Sequence, residues 1–324
     1  MHAITHAVRT KMSKLNSNHI GTFFLLILSS KASGMDFSFN PSPPSKQQIS
    51  LRTSGMFYPK PDSGFFHSSF SARVPVLKQD QDGVCVSLRY HELGTYSDSI
   101  PYSTLRSIQL GVDYTHQVSD KKLWSLSASF GSASDKPFKD SDVNTIGANW
   151  IYSFPQGDND QWVVLVNYSN NRPILNHIPL PGVAYTHAPS KQFRGTFGIP
   201  FASIYWEFVD RWSLTLFTVA PWVARAQVAY SIVGPIQAFS GFDFSQMTFL
   251  RYGRTNTDDR LYYDEKKAFI GIRSPLSRIF FAEIESGYAF ARRIFETESY
   301  ELHPENPIEV ESSLYIKLSL SARF

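Results

Sequence analysis

From about residue 48 to the end of the chain, apolar and polar residues alternate with a period of two. Trp124, Leu126, Ala128 and Phe130 interleave with Ser125, Ser127 and Ser129, and Ile146, Ala148, Trp150 and Tyr152 interleave with Thr145, Gly147 and Asn149. The pattern returns in Trp222–Tyr230 and in Phe280–Tyr288. A period of two sends successive side chains to opposite faces of a strand, whereas an amphipathic helix repeats every three to four residues. The chain therefore reads as all-β.

Turn residues cut this pattern into hairpin-sized pieces. Short connections (KQDQDG at 78–83, SDKK at 119–122, PQGDND at 155–160, APSK at 188–191, Asp210-Arg211, SPLSR at 274–278) alternate with longer polar ones near 92–104, 132–142, 171–179, 253–261 and 293–311. Short turns at one end and long loops at the other are the asymmetry of a membrane β-barrel, and a soluble sandwich has no reason to sort its loops in this way. Sixteen candidate strands can be drawn. Segments 191–199 and 202–208, parted only by Pro200 and Phe201, can be drawn as one bent strand, and segment 48–57 can be drawn as an extension of the leader rather than a strand. Single-chain bacterial barrels favour even numbers. The expectation is a closed antiparallel transmembrane barrel of about fourteen strands, within a range of twelve to sixteen.

The last strand is the sharpest piece. Leu314, Ile316, Leu318, Leu320, Ala322 and Phe324 occupy the even positions, and Ser313, Tyr315, Lys317, Ser319, Ser321 and Arg323 the odd ones. A strand ending on an aromatic resembles the terminal signal that the barrel-insertion machinery reads, with Phe324 as the membrane-insertion residue. Such signals often carry Gly where Ser319 stands here.

Composition agrees with a membrane barrel. Charged residues make up 18% of the 324, below the usual ~25% of soluble domains. Aromatics reach 15%, and interfacial girdles consume rings. Arg9, Lys11 and Lys14, the nine-residue apolar run IGTFFLLIL and then Ala32, Ser33 and Gly34 read as a cleaved signal peptide over 1–34, with Met12 an alternative start. The run is too short to span a bilayer, which needs ~20 residues. Residues 35–47 read as a flexible leader, or one partly tucked into the lumen, and 48–324 as the barrel. Without the signal segment 27 basic residues stand against 28 acidic ones. The basic pI then gives no reason to expect a nucleic-acid partner. The single cysteine, Cys85, has no motif around it.

The pieces LPGVAYTHAPSKQFRGTFGIPFASIYWEF, DRWSLTLFTVAP, ARAQVAYSI, DDRLYYDEKKAFIGI and ESGYAFARRIFE, between Leu180 and Phe295, resemble an uncharacterised family of bacterial outer-membrane barrels, a domain of unknown function. The likeness covers roughly the last half of the mature chain. It implies a barrel and an envelope location, and it supplies no catalytic residue.

With the apolar parity facing lipid, the other parity faces the lumen. It carries Arg89, Asp113, Arg194, Glu207, Arg225, Asp243, Arg273, Glu283, Glu285 and Lys317, both signs in equal measure. A mid-depth Arg or Lys facing lipid costs ~2–4 kcal/mol, so one-sided placement supports the barrel. These groups either pair across a packed interior or line a weakly selective passage. The expected role is a porin-like channel for small solutes or an envelope structural protein, in contact with outer-membrane lipid. One alternative is an outer-membrane acyl hydrolase, which needs Ser beside His. There is no G-x-S-x-G, and His67 and Ser68 are adjacent in a strand and so point to opposite faces. His177 and His187 sit near loops without a paired motif. The other alternative is a secreted soluble β protein. No spacing suggests a cofactor or zinc. Asp258, Asp259, Asp264 and Glu265 read as solvated loop charge rather than a cation site.

Overall fold

The computed structural model describes residues 43–59, 65–95 and 104–324. The proposed signal segment and most of the leader lie outside the described residues. The strands are β1 (Ser50–Phe57), β2 (Phe65–Lys78), β3 (Asp82–Thr95), β4 (Thr104–Ser119), β5 (Lys122–Ser134), β6 (Asn144–Gln156), β7 (Asp160–Ser169), β8 (Leu180–His187) and β9 (Phe193–Ile199), followed by β10 (Phe201–Val209), β11 (Trp212–Val219), β12 (Val223–Val233), β13 (Ile236–Phe249), β14 (Arg260–Pro275), β15 (Phe280–Thr297), β16 (Ile308–Val310) and β17 (Ser313–Arg323).

Neighbours in sequence pair antiparallel around the ring, and β17 closes it by pairing with both β15 and β1. The short β16 pairs only with Arg292–Ile294 at the outer end of β15 and stands outside the ring. Sixteen of the seventeen strands therefore form the closed barrel. Closure matters because an unpaired edge cannot be satisfied in hydrocarbon.

The expectation of fourteen is corrected to sixteen at both places where segments had been merged or discounted. β1 is a full member, paired with β17 on one side and β2 on the other. β9 and β10 are two strands of one hairpin, with Ala202 opposite Phe197 and the reversal at Pro200. Pro200 has no N–H to continue a ladder, so it fits a reversal better than a bend within one strand.

Both termini of the ring and seven short turns gather at one end. The other end carries the long connections, except at Pro200 and at residues 220–222, where two hairpins turn tightly. The wall is also uneven in height. β8 to β11 hold seven to nine residues each, whereas β13, β14 and β15 hold 14, 16 and 18. A tilted strand crosses a bilayer in about 9–11 residues, so the tall side overshoots the membrane. Residues 43–49 run beneath the short-turn end, where Gln47 is buried against Gly83 and its carbonyl accepts from Lys78 Nζ at 3.4 Å.

The exterior is apolar. Leu314 is 64% exposed, Leu318 58%, Ile270 66% and Ile284 58%, while their inward neighbours Tyr315, Lys317 and Phe269 are buried. Exposed aliphatics of this size around a whole ring cost heavily in water and nothing in lipid. Outward ring pairs girdle the short-turn end: Tyr114 with Trp124 at 5.1 Å between centroids, Trp162 with Tyr185 at 5.0 Å, Trp212 with Tyr230 at 4.8 Å and Phe280 with Phe324 at 6.4 Å. Amphipathic rings prefer that depth at a membrane interface.

Candidate functional site: the lumen

The lumen-facing parity of β12–β15 and β17 carries a chain of alternating charges. Glu283 accepts from Lys317 Nζ at 3.2 Å, and Lys317 lies 3.5 Å from Glu285. Glu285 is 3.8 Å from Arg225, which is 3.7 Å from Asp243. Asp243 is 3.5 Å from Lys267, which pairs with Glu265, and Glu265 is 3.7 Å from Arg292. Strand register produces this order: Arg225, Asp243 and Lys267 stand directly opposite one another on β12, β13 and β14, and Glu285 stands opposite Lys317. Opposite charges directly across a ladder attract, and like charges there would repel. The chain runs from near the short-turn end up to the tall rim.

Tyrosines complete its upper half. Tyr315 donates to Glu285 at 2.9 Å, Tyr263 donates to Glu265 at 3.1 Å, and Tyr58 also donates to Glu265. The Arg292 guanidinium sits in the corner between the Tyr58 and Phe65 rings, 4.2 and 4.4 Å from their centroids. Arg225 lies 4.6 Å over Phe269. Stacking of this kind suits the weakly hydrated guanidinium and would not suit an ammonium equally well. Two glycines make room for the rings. A Cβ at Gly271 would meet the Phe239 ring at 2.4 Å, and one at Gly287 would meet the Tyr315 ring at 2.9 Å.

The remaining residues expected in the lumen lie on the same inward parity but do not join this chain. Arg273 stands opposite Glu283, donates to Gln237 at 2.8 Å and lies 5.5 Å over Phe239. Asp113 pairs with Arg73 at 3.3 Å, and Arg89 donates to Gln109 at 3.3 Å. Arg194 and Glu207 sit on β9 and β10 toward the short-turn end. The wall from β4 to β9 is polar and mostly uncharged: Gln109 donates to Ser129 at 2.9 Å, Asn167 to Asn149 at 2.5 Å, and Thr186 and Thr196 share a hydrogen bond of 2.9 Å. The lumen thus has a charged wall facing a hydroxyl and amide wall. Parity already places Arg323 on the lumen side of the last strand, whereas the sequence reading names none of Arg52, Arg73, Glu265, Lys267 and Arg292 for the lumen; the register places them on inward positions as well.

The tall strands roof the long-loop mouth. β5 and β13 are eight strands apart whichever way the ring is counted, yet Leu250 N donates to Ala133 O at 2.6 Å. Asn171 Nδ2 reaches Thr248 O at 3.3 Å, Arg260 Nη2 reaches Asn170 O at 2.9 Å, and Tyr252 N reaches Asp135 Oδ1 at 2.7 Å. Residues 245–250 and 260–265 are buried on both faces, as strands curled over the mouth must be. Arg172 braces the far bank by donating to Asn167 Oδ1 at 2.8 Å and to the carbonyls of Asn167 and Ile178. Burial pushes this guanidinium below its ordinary value.

No family model matches the chain, and no curated protein matches it. Among solved structures the chain is similar to a TodX variant, a monoaromatic hydrocarbon channel, with a TM-score of 0.41 and 11% identity over 90% of this chain and 92% of that one. It is similar to an outer-membrane channel from Pseudomonas putida F1, with a TM-score of 0.36 and 8% identity over 88% and 98% of the two chains. It is also similar to the NanC porin, with a TM-score of 0.33 and 10% identity over 85% and 100%. Likenesses this loose leave the choice of solute to be read from the lumen itself.

Two histidines, His116 and His187, have carboxylate partners. His116 and Tyr114 both bond Asp82, at 2.8 and 2.5 Å, and His187 and Tyr185 both bond Asp160, at 2.6 and 2.6 Å. The tripeptide YTH occurs at both places, each time beside the first residue of a neighbouring strand. His187, read from the sequence as a residue near a loop, is paired with Asp160 at the short-turn end. Both clusters lie on the outer face beside Trp124 and Trp162, where they anchor the girdle. Among the described residues no hydrogen bond joins a serine hydroxyl to a histidine ring. Asp264 bonds Arg293 at 2.8 Å while Glu265 points to the opposite face, so the acidic residues near 258–265 do not converge, and the described residues hold no group of three metal-ligating side chains.

Proposed function

We propose that this protein is an outer-membrane, porin-like channel for small hydrophilic solutes. The supporting observation is the sixteen-strand closed ring with an apolar exterior and a polar interior, since barrels of sixteen to eighteen strands are wide enough to leave an aqueous passage. On this reading residues 1–34 are removed on export, 35–47 stay in the periplasm, and the insertion machinery reads β17 up to Phe324. The likeness of residues 180–295 to an uncharacterised outer-membrane barrel family fits the same picture. Catalysis has no place in this reading. The long loops face outward from the cell, so the roof built by β13–β15 is a lid on the external mouth. Planar-bilayer recording of refolded protein is the test. Discrete current steps are expected. A barrel that is heat-modifiable on gels, and thus folded, yet passes no current at any voltage would overturn the reading.

A second reading is favoured by the Leu250–Ala133 hydrogen bond and the roof it belongs to: a permanently shut barrel with an envelope-structure role. Current that appears only after the roof is cut would support it.

A further inference from the structure

We infer that two Asp–Tyr–His clusters on the outer face of the barrel each seat the ammonium group of a phosphatidylethanolamine headgroup. The inference concerns the outer wall and stands whether or not the lumen conducts. In one cluster Asp82, the first residue of β3, stands opposite His116 of β4 and accepts from His116 Nδ1 at 2.8 Å and from the Tyr114 hydroxyl at 2.5 Å. In the other Asp160, the first residue of β7, stands opposite His187 of β8 and accepts from His187 Nδ1 at 2.6 Å and from the Tyr185 hydroxyl at 2.6 Å. Each tyrosine also packs on an indole, Trp124 at 5.1 Å and Trp162 at 5.0 Å between centroids. The indole arrives from a different side in each. Trp124 belongs to β5, beyond the histidine strand, whereas Trp162 belongs to β7, the aspartate's own strand. A copied hairpin would bring the ring from the same side, so what recurs is the chemistry of the group and its place at the short-turn end.

That chemistry makes a cation seat. An ionised carboxylate at a lipid boundary is costly unless something pairs it. Among the described residues neither aspartate makes an ion pair with a lysine or arginine, and Lys121, in the turn after β4, is engaged with Asp158 at 3.5 Å. In the neutral ring, whose Nδ1–H the carboxylate takes up, the other nitrogen, Nε2, is an acceptor. Both donors to Asp82 meet Oδ1, which leaves Oδ2 open, and the two donors to Asp160 meet one oxygen each, whereas a carboxylate accepts about four bonds in all. Both aspartates and both histidines remain partly exposed. A primary ammonium brings three donors for these open acceptors, and the adjacent indole adds its own attraction for a cation. At the depth of an aromatic girdle the groups that meet the wall are lipid headgroups. Phosphoethanolamine carries the ammonium. Phosphoglycerol has none, and its phosphate is repelled by the aspartate. β4 and β8 are four strands apart, roughly 19 Å along the wall, so the two seats take two separate lipids.

The test is lipid retention by the folded barrel, read by native mass spectrometry after reconstitution into vesicles of equal phosphatidylethanolamine and phosphatidylglycerol and extraction into detergent. Wild-type protein is expected to keep up to two phosphatidylethanolamine molecules and to favour them over phosphatidylglycerol by about fivefold, the ratio that one exposed ion pair supports. Asp82→Asn with Asp160→Asn keeps the size of each side chain and an acceptor oxygen but removes the charge. Its retention ratio is expected to fall to about one, and each single variant to lose one of the two lipids. Heat-modifiable mobility shows that a variant has folded, and if the double variant does not fold, the two single variants are read in its place. Equal retention of the two lipids by wild-type protein, a preference for phosphatidylglycerol, or a phosphatidylethanolamine preference that the asparagine variants keep overturns the inference. Each of these outcomes leaves the clusters as anchors of the girdle and the barrel standing.

Discussion

Replacing Glu285 by Gln probes the charged wall most sharply. The carboxylate is fully buried and accepts from Tyr315 at 2.9 Å, with Lys317 at 3.5 Å and Arg225 at 3.8 Å. Gln keeps the volume and can still accept from Tyr315. It cuts the chain in two, however: Glu283 with Lys317 remains neutral, while Arg225, Asp243, Lys267, Glu265 and Arg292 are left with one positive charge in excess. Breaking a buried pair from one side costs about 3–5 kcal/mol, against about 0–1 kcal/mol for exposed pairs. Water in the lumen screens part of this, so a loss of about 3 kcal/mol is expected. Lys317→Met, which leaves Glu283 and Glu285 facing each other, is expected to lose as much. The double variant should lose less than the sum by about 2 kcal/mol, because the two groups share one interaction. Denaturant unfolding of the barrel in micelles, followed by tryptophan fluorescence with the slope unchanged, measures all three. Losses under about 1 kcal/mol with no coupling would show that the chain is screened like surface charge, and would refute a low-dielectric wall.

Three other expectations follow from named contacts. In a Cys85→Ser background, Ala133→Cys with Leu250→Cys is expected to form a disulfide on oxidation and to lower conductance relative to the reduced form, since residues joined by a backbone bond of 2.6 Å fall within bridging reach; failure to cross-link would show that the roof does not dock. Gly271→Ala is expected to cost about 2 kcal/mol in the same unfolding assay, because its Cβ would meet the Phe239 ring at 2.4 Å and Ile284 O at 2.5 Å; a loss below about 0.5 kcal/mol would mean that the ring moves aside freely. Arg172→Ala removes the brace under residues 170–179, so faster proteolytic nicking of that loop and a larger open-state current are expected, and unchanged rates of both would show that the roof stands without it.

The wall of the barrel could be read from the chain, and its interior only in part. Parity in β17 fixed which residues face lipid, because one-residue alternation survives any uncertainty in the ends of a strand. Strand number was lost at Pro200, where a two-residue gap between short strands looks the same in sequence whether the chain bends or reverses. The roof was invisible because its contacts join Leu250 to Ala133 and Arg260 to Asn170, far apart in the chain. Glu265 was taken for loop charge for the same reason: its partner Tyr58 lies 207 residues away. The Asp160–His187 pair was within reach, since YTH recurs at 114–116 and 185–187, but the matching aspartates sit on neighbouring strands and only hairpin register brings them over.

Where the protein resides in the cell decides the whole reading. Expressed with its full leader, it should be recovered with the outer-membrane fraction, require detergent for release, and run faster on gels before boiling than after. Recovery in the aqueous periplasmic fraction without detergent, with one gel mobility whether heated or not, would contradict a membrane barrel and everything inferred from its lumen.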